Sequence, residues 1–203
     1  MRLLLCSQCV RGEVAELTEM VGAGARAAVI ANALDGSGEF RAQWLEVEVA
    51  ALRRAGLEPF ELDLRGATLP ADLDGAAMVW GTGGSAFALI DALEGSGLGA
   101  ILRERLADDS LAYGGTSAGA CVCAPTLRGF ELFDPVADDG RPPPAGLGLV
   151  SFSIVPHFGA GGGLGVDMAR LAAFLAIRGM PYRTLRDGEA LAVRGGQTRA
   201  IAV

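Results

Sequence analysis

Apolar runs of strand length alternate with segments of helical periodicity along most of the chain, and this alternation predicts an α/β fold. Continuous apolar runs suit strands that a parallel sheet buries on both faces. The predicted strands cover residues 2–6, 26–31, 58–64, 76–80, 110–113, 149–155, 183–185, 189–194 and 198–203. The predicted helices cover residues 12–22, 40–56, 86–93, 98–106 and 166–177. We therefore expect a three-layer, mostly parallel sheet with helices on both faces.

Two segments lack a regular pattern. Residues 32–38 contain two glycines and are predicted to form a loop. Residues 128–148 carry adjacent prolines and several acids, which predicts a surface excursion. The positions that mark one face of the second helix have helical spacing, and they are Phe40, Trp44, Val47 and Ala51.

The pentapeptide Gly115–Gly119 reads G-x-S-x-G and follows a predicted strand. That spacing is typical of a sharp strand-to-helix turn that leaves the serine hydroxyl exposed. Glycine at both ends removes Cβ atoms that would clash in so tight a turn. Ser117 is therefore a candidate nucleophile, although an ordinary turn in a glycine-rich chain has the same residues.

The chain contains one histidine, His157, which follows a predicted strand. A serine hydroxyl needs a neighbouring base to become a nucleophile, and histidine is the usual base because its pKa lies near neutrality. A Ser–His mechanism therefore has a single assignment in this sequence. A histidine that only caps a loop is the alternative interpretation.

Several carboxylates are candidates for the acid that orients the imidazole. They lie between the serine and the histidine or after the histidine: Glu131, Asp134, Asp138, Asp139 and Asp187. Asp187 gives the order serine, histidine, acid, but it sits in an Asp-Gly turn that is also common as a purely structural hairpin. The sequence leaves the choice of acid open.

The loop Gly81–Ser85 also follows a predicted strand. Ligands of parallel sheets bind beyond the carboxyl ends of the strands, so we expect this loop to face the same crevice as Ser117. The backbone N–H groups of Ala118 and of Gly83 or Gly84 are candidates for an oxyanion hole. A phosphate cradle is the alternative, but the loop lacks the G-x-G-x-x-G spacing and the chain has no lysine for a Walker motif.

Composition narrows the classes of function. The chain has 203 residues, 51% of them hydrophobic, which predicts one α/β domain over residues 1–203. All 17 basic residues are arginine, no basic block occurs and the net charge is −7, so nucleic acid is not an expected partner. No apolar run is long enough for a membrane span or a secretory signal, so we expect a cytoplasmic protein without membrane contact. An acidic chain with exposed apolar segments is compatible with a homodimer.

The cysteines form two close pairs, Cys6/Cys9 and Cys121/Cys123. The first pair reads C-x-x-C, which is a redox motif when it opens a helix, but the residues that follow do not resemble a helix start. We therefore expect buried thiols rather than redox function. No third ligand clusters with them, so neither a metal nor another cofactor is expected.

Taken together, these features resemble the S51 serine peptidases, the family of dipeptidase E and cyanophycinase. The matching pieces follow the family's order over nearly the whole chain: Leu3–Ser7, Gly83–Phe87, Gly115–Ala120 with Ala124–Thr126, Val155–Phe158 and Leu185–Gly188. The resemblance implies a fold similar to class I glutamine amidotransferases, with serine in place of their cysteine. It implies Ser117 as nucleophile and His157 as general base. Asp187 resembles a family position that holds a glutamate near the histidine.

The chain departs from the family's acid and loop positions. A second family acid follows the nucleophile at a place that holds Leu132 here, with Glu131 and Asp134 alongside. The family's Gly-Gly-Asn-Thr loop reads Gly84-Ser85-Ala86, which loses a side-chain amide and leaves Ser85 as the candidate substrate contact.

The chain also departs from the aspartyl-specific members of the family. Those members carry an arginine early in the helix after the histidine, whereas this chain has Asp167 there and Arg170 one turn later. A preference for N-terminal aspartate is therefore not carried over. We expect a serine exopeptidase for short peptides in which Arg170 binds a substrate carboxylate. A non-catalytic anion-binding module and a non-peptide esterase or amidase on the same fold are the alternatives.

Overall fold

In the part of the chain that the structure describes, seven strands form one sheet and two further strands form a small separate sheet. The structure is a computed structural model, and it describes residues 1–8, 14–134 and 142–202. The strands are β1 (Arg2–Cys6), β2 (Arg26–Ile30), β3 (Glu58–Glu61), β4 (Ala76–Gly81), β5 (Ala112–Thr116), β6 (Ser153–Val155), β7 (Tyr182–Thr184), β8 (Glu189–Arg194) and β9 (Gln197–Ala202).

The strand order of the large sheet is β3-β2-β4-β5-β1-β8-β9. The strands from β3 to β1 in this order are parallel, whereas β8 runs antiparallel to β1 and pairs with β9 as a hairpin. The carboxyl ends of β4, β5 and β1 are therefore neighbours at one edge, and the chain enters β8 at the same edge. Residues just after those strands and just before β8 meet there.

Helices cover both faces of this sheet. They are α1 (Val14–Val21), α2 (Phe40–Arg54), α3 (Ala86–Ser96), α4 (Leu98–Ala107), α5 (Ala118–Cys121) and α6 (Gly162–Ile177). Successive strand residues point to opposite faces, so Leu3 and Leu5 join the core under α3, α4 and α6, while Leu4 joins the core under α1 and α2. The predicted three-layer α/β class is confirmed. No helix among the described residues has the length and apolar content that crossing a bilayer requires.

The small sheet pairs β6 with β7 in parallel and carries the chain toward the edge described above. The backbone N–H of Leu185 donates to Val155, and that of Phe158 donates to Leu185, at 2.9 Å each. These bonds continue the pairing beyond both strands, so residues 157 and 187 leave the small sheet side by side.

In two of the segments that differ from the prediction, local backbone bonds replace the expected conformation. The strand predicted at 149–155 begins only at Ser153, since the N–H groups of Leu149 and Val150 both donate to Cys123 in a turn. The loop predicted at 32–38 is a 3₁₀ helix over Asn32–Ser37.

The helix predicted at 40–56 is correct, but the face chosen for it is not the one that packs on the sheet. Phe40 and Trp44 are 63% and 50% exposed. The helix packs instead through Leu45, Val49 and Leu52, which also have helical spacing. Because two neighbouring stripes of this helix are apolar, periodicity alone does not choose between them.

The segment predicted as a surface excursion contributes to the core at both of its described ends. Phe130 and Leu147 are buried against the sheet. Residues 135–141 of the excursion lie outside the described residues.

Candidate active site

Ser117 occupies a sharp turn between β5 and α5 and has a positive φ of 51°. A residue with a Cβ adopts such a backbone at a cost of about 1–3 kcal/mol, so the surroundings must hold it there. The Ser117 N–H donates to the carbonyls of Cys6 at 2.9 Å and Ser7 at 3.0 Å. The end of the neighbouring strand β1 thus fixes the turn.

The glycines around Ser117 allow β4, β5 and α5 to approach one another closely. A Cβ on Gly115 would lie 2.6 Å from the carbonyl carbon of Gly119, and a Cβ on Gly119 would collide with the carbonyl group of Gly81. The buried hydroxyl of Tyr113 donates to the Gly119 carbonyl at 2.8 Å. The G-x-S-x-G spacing is therefore explained by packing as well as by the turn.

His157 lies just beyond β6 and places its imidazole between the serine and a carboxylate. Its Nε2 is 3.0 Å from the Ser117 Oγ, and its Nδ1 is 2.7 Å from the Asp187 Oδ1. An ionised carboxylate only accepts, so Nδ1 carries the proton and Nε2 is free to accept the serine proton. The imidazole side chain is 12% exposed, whereas the Asp187 side chain is 44% exposed.

The other candidate acids have different partners. Glu131 accepts a hydrogen bond from the N–H of Gly129 at 2.6 Å. Asp134 accepts from the Ser85 hydroxyl at 2.8 and 3.0 Å and from the Phe87 N–H at 3.3 Å. The candidates Asp138 and Asp139 lie outside the described residues. Among the described candidates, Asp187 is the one that contacts the imidazole.

Asp134 also bears on the anion-binding alternative. Ser85 is the N-cap of α3, and Phe87 lies in the first turn of that helix. The carboxylate of Asp134 already sits at this helix N-terminus, where an external anion would have to bind. The loop Gly81–Ser85 is therefore a poor phosphate cradle in this structure.

Two backbone N–H groups beside Ser117 are available to a substrate oxygen. In the described part of the chain, neither Gly84 N–H nor Ala118 N–H has a recorded acceptor. Ala118 begins α5, and the first N–H groups of a helix have no partner within it. Gly84 has a φ of +131°, and a Cβ there would collide with the Ala33 carbonyl, so glycine is required at this point of the loop.

Two of the cavities that are lined by described residues adjoin Ser117 and His157. The first, about 320 Å³, is lined on its apolar side by Cys121, Phe130, Phe133, Pro156, Leu164 and Met168, and it also contains Ser85 and Asp134. The second, about 330 Å³, is lined on its apolar side by Leu34, Trp44, Val47 and Leu164. The helix face that does not pack on the sheet thus forms part of a cavity wall.

Arg170 lies away from these cavities. Its side chain is 61% exposed and lies 3.6 Å from Asp167 on the same helix. It is not among the residues that line either cavity. The structure brings the predicted contact Ser85 to the site but does not bring Arg170 there.

In the described part of the chain, the free cysteines near the site are buried thiols rather than thiolates. Burial raises the pKa of the Cys121 and Cys123 thiols, which are free and fully enclosed. Cys6 is disulfide-bonded, so the expectation of a buried thiol is wrong for that residue. Cys9 lies outside the described residues.

One residue of the site was not singled out from the sequence. The side chain of Ser7 contacts both the Asp187 carboxylate and the backbone of His157. A serine at the end of a buried strand does not by itself predict a role in a site. The contacts that indicate such a role for Ser7 are with residues far away in the chain.

Comparison with known proteins relates the sequence of this chain to a peptidase family. The sequence model of peptidase family S51 matches residues 13–201. Comparison with curated proteins finds no matching sequence.

Two solved structures share the fold over the whole chain. A crystal structure of a candidate peptidase E protein from Listeria monocytogenes EGD-e is 23% identical, with a TM-score of 0.80, and the match covers 100% of this chain and 98% of that one. A peptidase from an acI-B1 Actinobacterium is 18% identical, with a TM-score of 0.72, and the match covers 100% of this chain and 87% of that one. The fold is therefore that of the peptidase E proteins, which is similar to class I glutamine amidotransferases.

Proposed function

Because the chain belongs to peptidase family S51, we propose that it is a serine peptidase in which Ser117, His157 and Asp187 act as nucleophile, general base and orienting acid. The observation that carries the proposal is the unbroken chain of hydrogen bonds from the serine hydroxyl through the imidazole to the carboxylate, at 3.0 and 2.7 Å. A serine whose hydroxyl faces the unprotonated nitrogen of an imidazole, with a carboxylate at the other nitrogen, is the arrangement used for acyl transfer.

In the proposed first half-reaction, Nε2 of His157 takes the proton of Ser117 while Oγ attacks the peptide carbonyl carbon. The carbonyl oxygen becomes an oxyanion, and the N–H groups of Gly84 and Ala118 stabilise it. The C–N bond then breaks as the imidazolium gives its proton to the leaving amine. The product that remains is an acyl ester on Ser117.

In the second half-reaction, a water molecule takes the place of the amine. His157 removes one proton from the water, and the resulting hydroxide attacks the ester carbonyl. The second tetrahedral intermediate uses the same two N–H donors. Its collapse returns the proton to Ser117 and releases the carboxylic acid.

The cavities support a short substrate. Both are near the lower end of the range for small-molecule sites, about 300–1,000 Å³, and both adjoin Ser117. This arrangement suits a peptide with one side chain on each side of the scissile bond, which is the substrate of an exopeptidase or dipeptidase. The proposal assigns no substrate carboxylate to Arg170, because its guanidinium is exposed and faces Asp167.

A fluorophosphonate probe and a panel of dipeptides test the proposal. We expect wild-type protein to hydrolyse unblocked dipeptides and to be labelled on Ser117, and we expect Ser117→Ala to lose both properties. Ser151→Ala removes an exposed serine outside the cavities and serves as the control. Turnover that persists in Ser117→Ala contradicts the mechanism.

The same panel decides the substrate class. Labelling of Ser117 together with hydrolysis of esters or non-peptide amides, but of no peptide, contradicts the peptidase assignment and favours an esterase or amidase. Faster hydrolysis of long blocked peptides than of free dipeptides contradicts the exopeptidase assignment.

A further inference from the structure

Ser7 lies just after the end of β1 and is fully buried. Its N–H, its carbonyl and its hydroxyl all form hydrogen bonds, either with residues of the proposed site or with the start of β8. Its N–H donates to the Glu189 carbonyl at 3.0 Å, and its carbonyl accepts from the Ser117 N–H at 3.0 Å. Its hydroxyl oxygen lies 2.7 Å from the backbone nitrogen of His157 and 2.9 Å from the Asp187 Oδ1. Ser7 therefore contacts each of the three residues to which we assign the chemistry. It contacts Ser117 and His157 through their backbone N–H groups and Asp187 through its carboxylate.

The direction of the hydroxyl proton follows from these partners. The His157 N–H can only donate, so it occupies a lone pair of the Ser7 oxygen. The Asp187 carboxylate can only accept, so the Ser7 proton points toward Oδ1. The same Oδ1 also receives the Nδ1–H of the imidazole.

The two hydrogen bonds of the Ser7 hydroxyl hold the Asp187 carboxylate and the His157 backbone, which are otherwise weakly constrained. The Asp187 side chain is nearly half exposed, and within the described residues its recorded side-chain bonds are those to His157 and Ser7. His157 has a positive φ of 52°, which is unfavourable for a residue with a Cβ. The bond to its backbone N–H therefore stabilises a conformation that the residue does not adopt readily.

We propose that Ser7 is a positioning residue that holds the Asp187 carboxylate and the His157 backbone in the geometry needed for proton transfer. This inference rests on the proposed serine peptidase function. Ser7 touches no reacting atom, so it acts through the carboxylate and the imidazole. Loss of its hydroxyl leaves the carboxylate with one fixing bond instead of two.

The alternative is that Ser7 only completes the end of a buried strand. Ser96 provides a matched control, because it is also buried and its hydroxyl also makes one donated and one accepted bond, to Leu93 and Leu98. Those bonds lie at the junction of α3 and α4 and involve no residue of the proposed site. Ser7→Ala and Ser96→Ala therefore remove the same atoms, with and without a connection to the imidazole.

The readout comes from the only histidine of the chain. An Nδ1 proton bonded to a carboxylate gives a far-downfield proton NMR signal, and with one histidine that signal belongs to His157. We expect wild type and Ser96→Ala to show the signal, and Ser7→Ala to lose or shift it through solvent exchange. We also expect Ser7→Ala to lower kcat by about 10²-fold, the scale of a small misplacement of catalytic groups, with KM little changed.

A second pair of variants at the same position tests the inference if Ser7→Ala does not fold. Ser7→Thr and Ser7→Val have nearly the same shape and differ in the hydroxyl, so Thr should keep the signal and Val should lose it. An unchanged signal and unchanged kcat in the folded variant without a hydroxyl overturn the inference. If wild type neither hydrolyses peptides nor reacts with the probe, the proposed function fails, while the NMR comparison still decides whether Ser7 orients the imidazole.

Discussion

The Asp187 carboxylate makes a short hydrogen bond with the His157 imidazole although its side chain is nearly half exposed to solvent. Its Oδ1 lies 2.7 Å from the imidazole nitrogen while much of its side chain faces solvent. Replacing such a carboxylate with an amide leaves neither a cavity nor a buried unpaired charge, so the effect on stability should be small. The effect on chemistry should be large, because an amide can favour the wrong tautomer of the imidazole.

We therefore predict that Asp187→Asn lowers kcat by about 10⁴-fold without a comparable change in KM or melting temperature. Steady-state kinetics on a dipeptide and thermal unfolding measure these quantities. Glu131→Gln is the control, because Glu131 is a rejected candidate acid with a local backbone partner. A greater loss of kcat in Glu131→Gln than in Asp187→Asn contradicts the assignment of the acid.

The sequence predicted the residues of this site unequally. Ser117 and His157 were identifiable because one has a glycine-flanked motif and the other is the only histidine. The acid stayed open because an Asp-Gly turn has an equally good structural explanation. Ser7 ends one of the pieces that resemble the family, but the sequence predicts no role for it, since its hydroxyl contacts lie 150 and 180 positions away in the chain.

The turn at Ser117 depends on how closely β4, β5 and α5 pack, and the glycines there differ from glycines elsewhere. A Cβ on Gly119 meets the backbone of Gly81, which cannot move without displacing a central strand. Gly95 lies within α3, and a Cβ there meets nothing within 4 Å. The same substitution should therefore have opposite effects at the two positions.

We predict that Gly119→Ala lowers the free energy of unfolding by about 1–3 kcal/mol, the usual cost of overpacking. Gly95→Ala should raise it by about 0.4–1 kcal/mol, since alanine favours the helix and restricts the unfolded chain. Urea unfolding of both variants measures the two values. A Gly119→Ala protein as stable as wild type would show that the approach of α5 to β4 is not tight.

The bounds of a helix or strand are predictable where the hydrophobic pattern of that segment has only one structural interpretation. The bounds of β1 and β8 agree with the apolar runs, because buried strands admit few polar residues. The predicted packing face of α2 is wrong because that helix has two adjacent apolar stripes, and periodicity does not tell which of them packs on the sheet. The strand predicted at 149–155 was too long because Leu149 and Val150 donate their N–H groups to Cys123, a contact that periodicity does not encode.

At the scale of the whole molecule, three side chains within the described residues are buried in their protonated form and ionise at high pH. Burial raises the pKa of Tyr113, Cys121 and Cys123. The ordinary values are 10.0 for tyrosine and 9.0 for the thiols, so the unfolded chain releases these protons at a lower pH than the folded protein does. The contribution to stability is complete below those ordinary values and is lost as pH rises above them.

We predict that the free energy of unfolding falls with pH above about 9, by about 1.4 kcal/mol per pH unit for each group that ionises only in the unfolded chain. Denaturant titrations at increasing pH measure the slope. The double variant Cys121→Ala, Cys123→Ala should reduce the slope, and Tyr113→Phe should reduce it further at the highest pH. An unchanged slope in the double variant contradicts the explanation.

The position of Trp44 has a practical consequence. The chain has two tryptophans. Trp80 is enclosed in the fold, whereas Trp44 is half exposed and forms part of the wall of the second cavity beside Ser117. The indole that water reaches is therefore also the one that an occupant of that cavity would touch. Intrinsic fluorescence, with acrylamide quenching to separate the two emitters, gives the protein an optical reporter of occupancy that needs no added dye and no turnover.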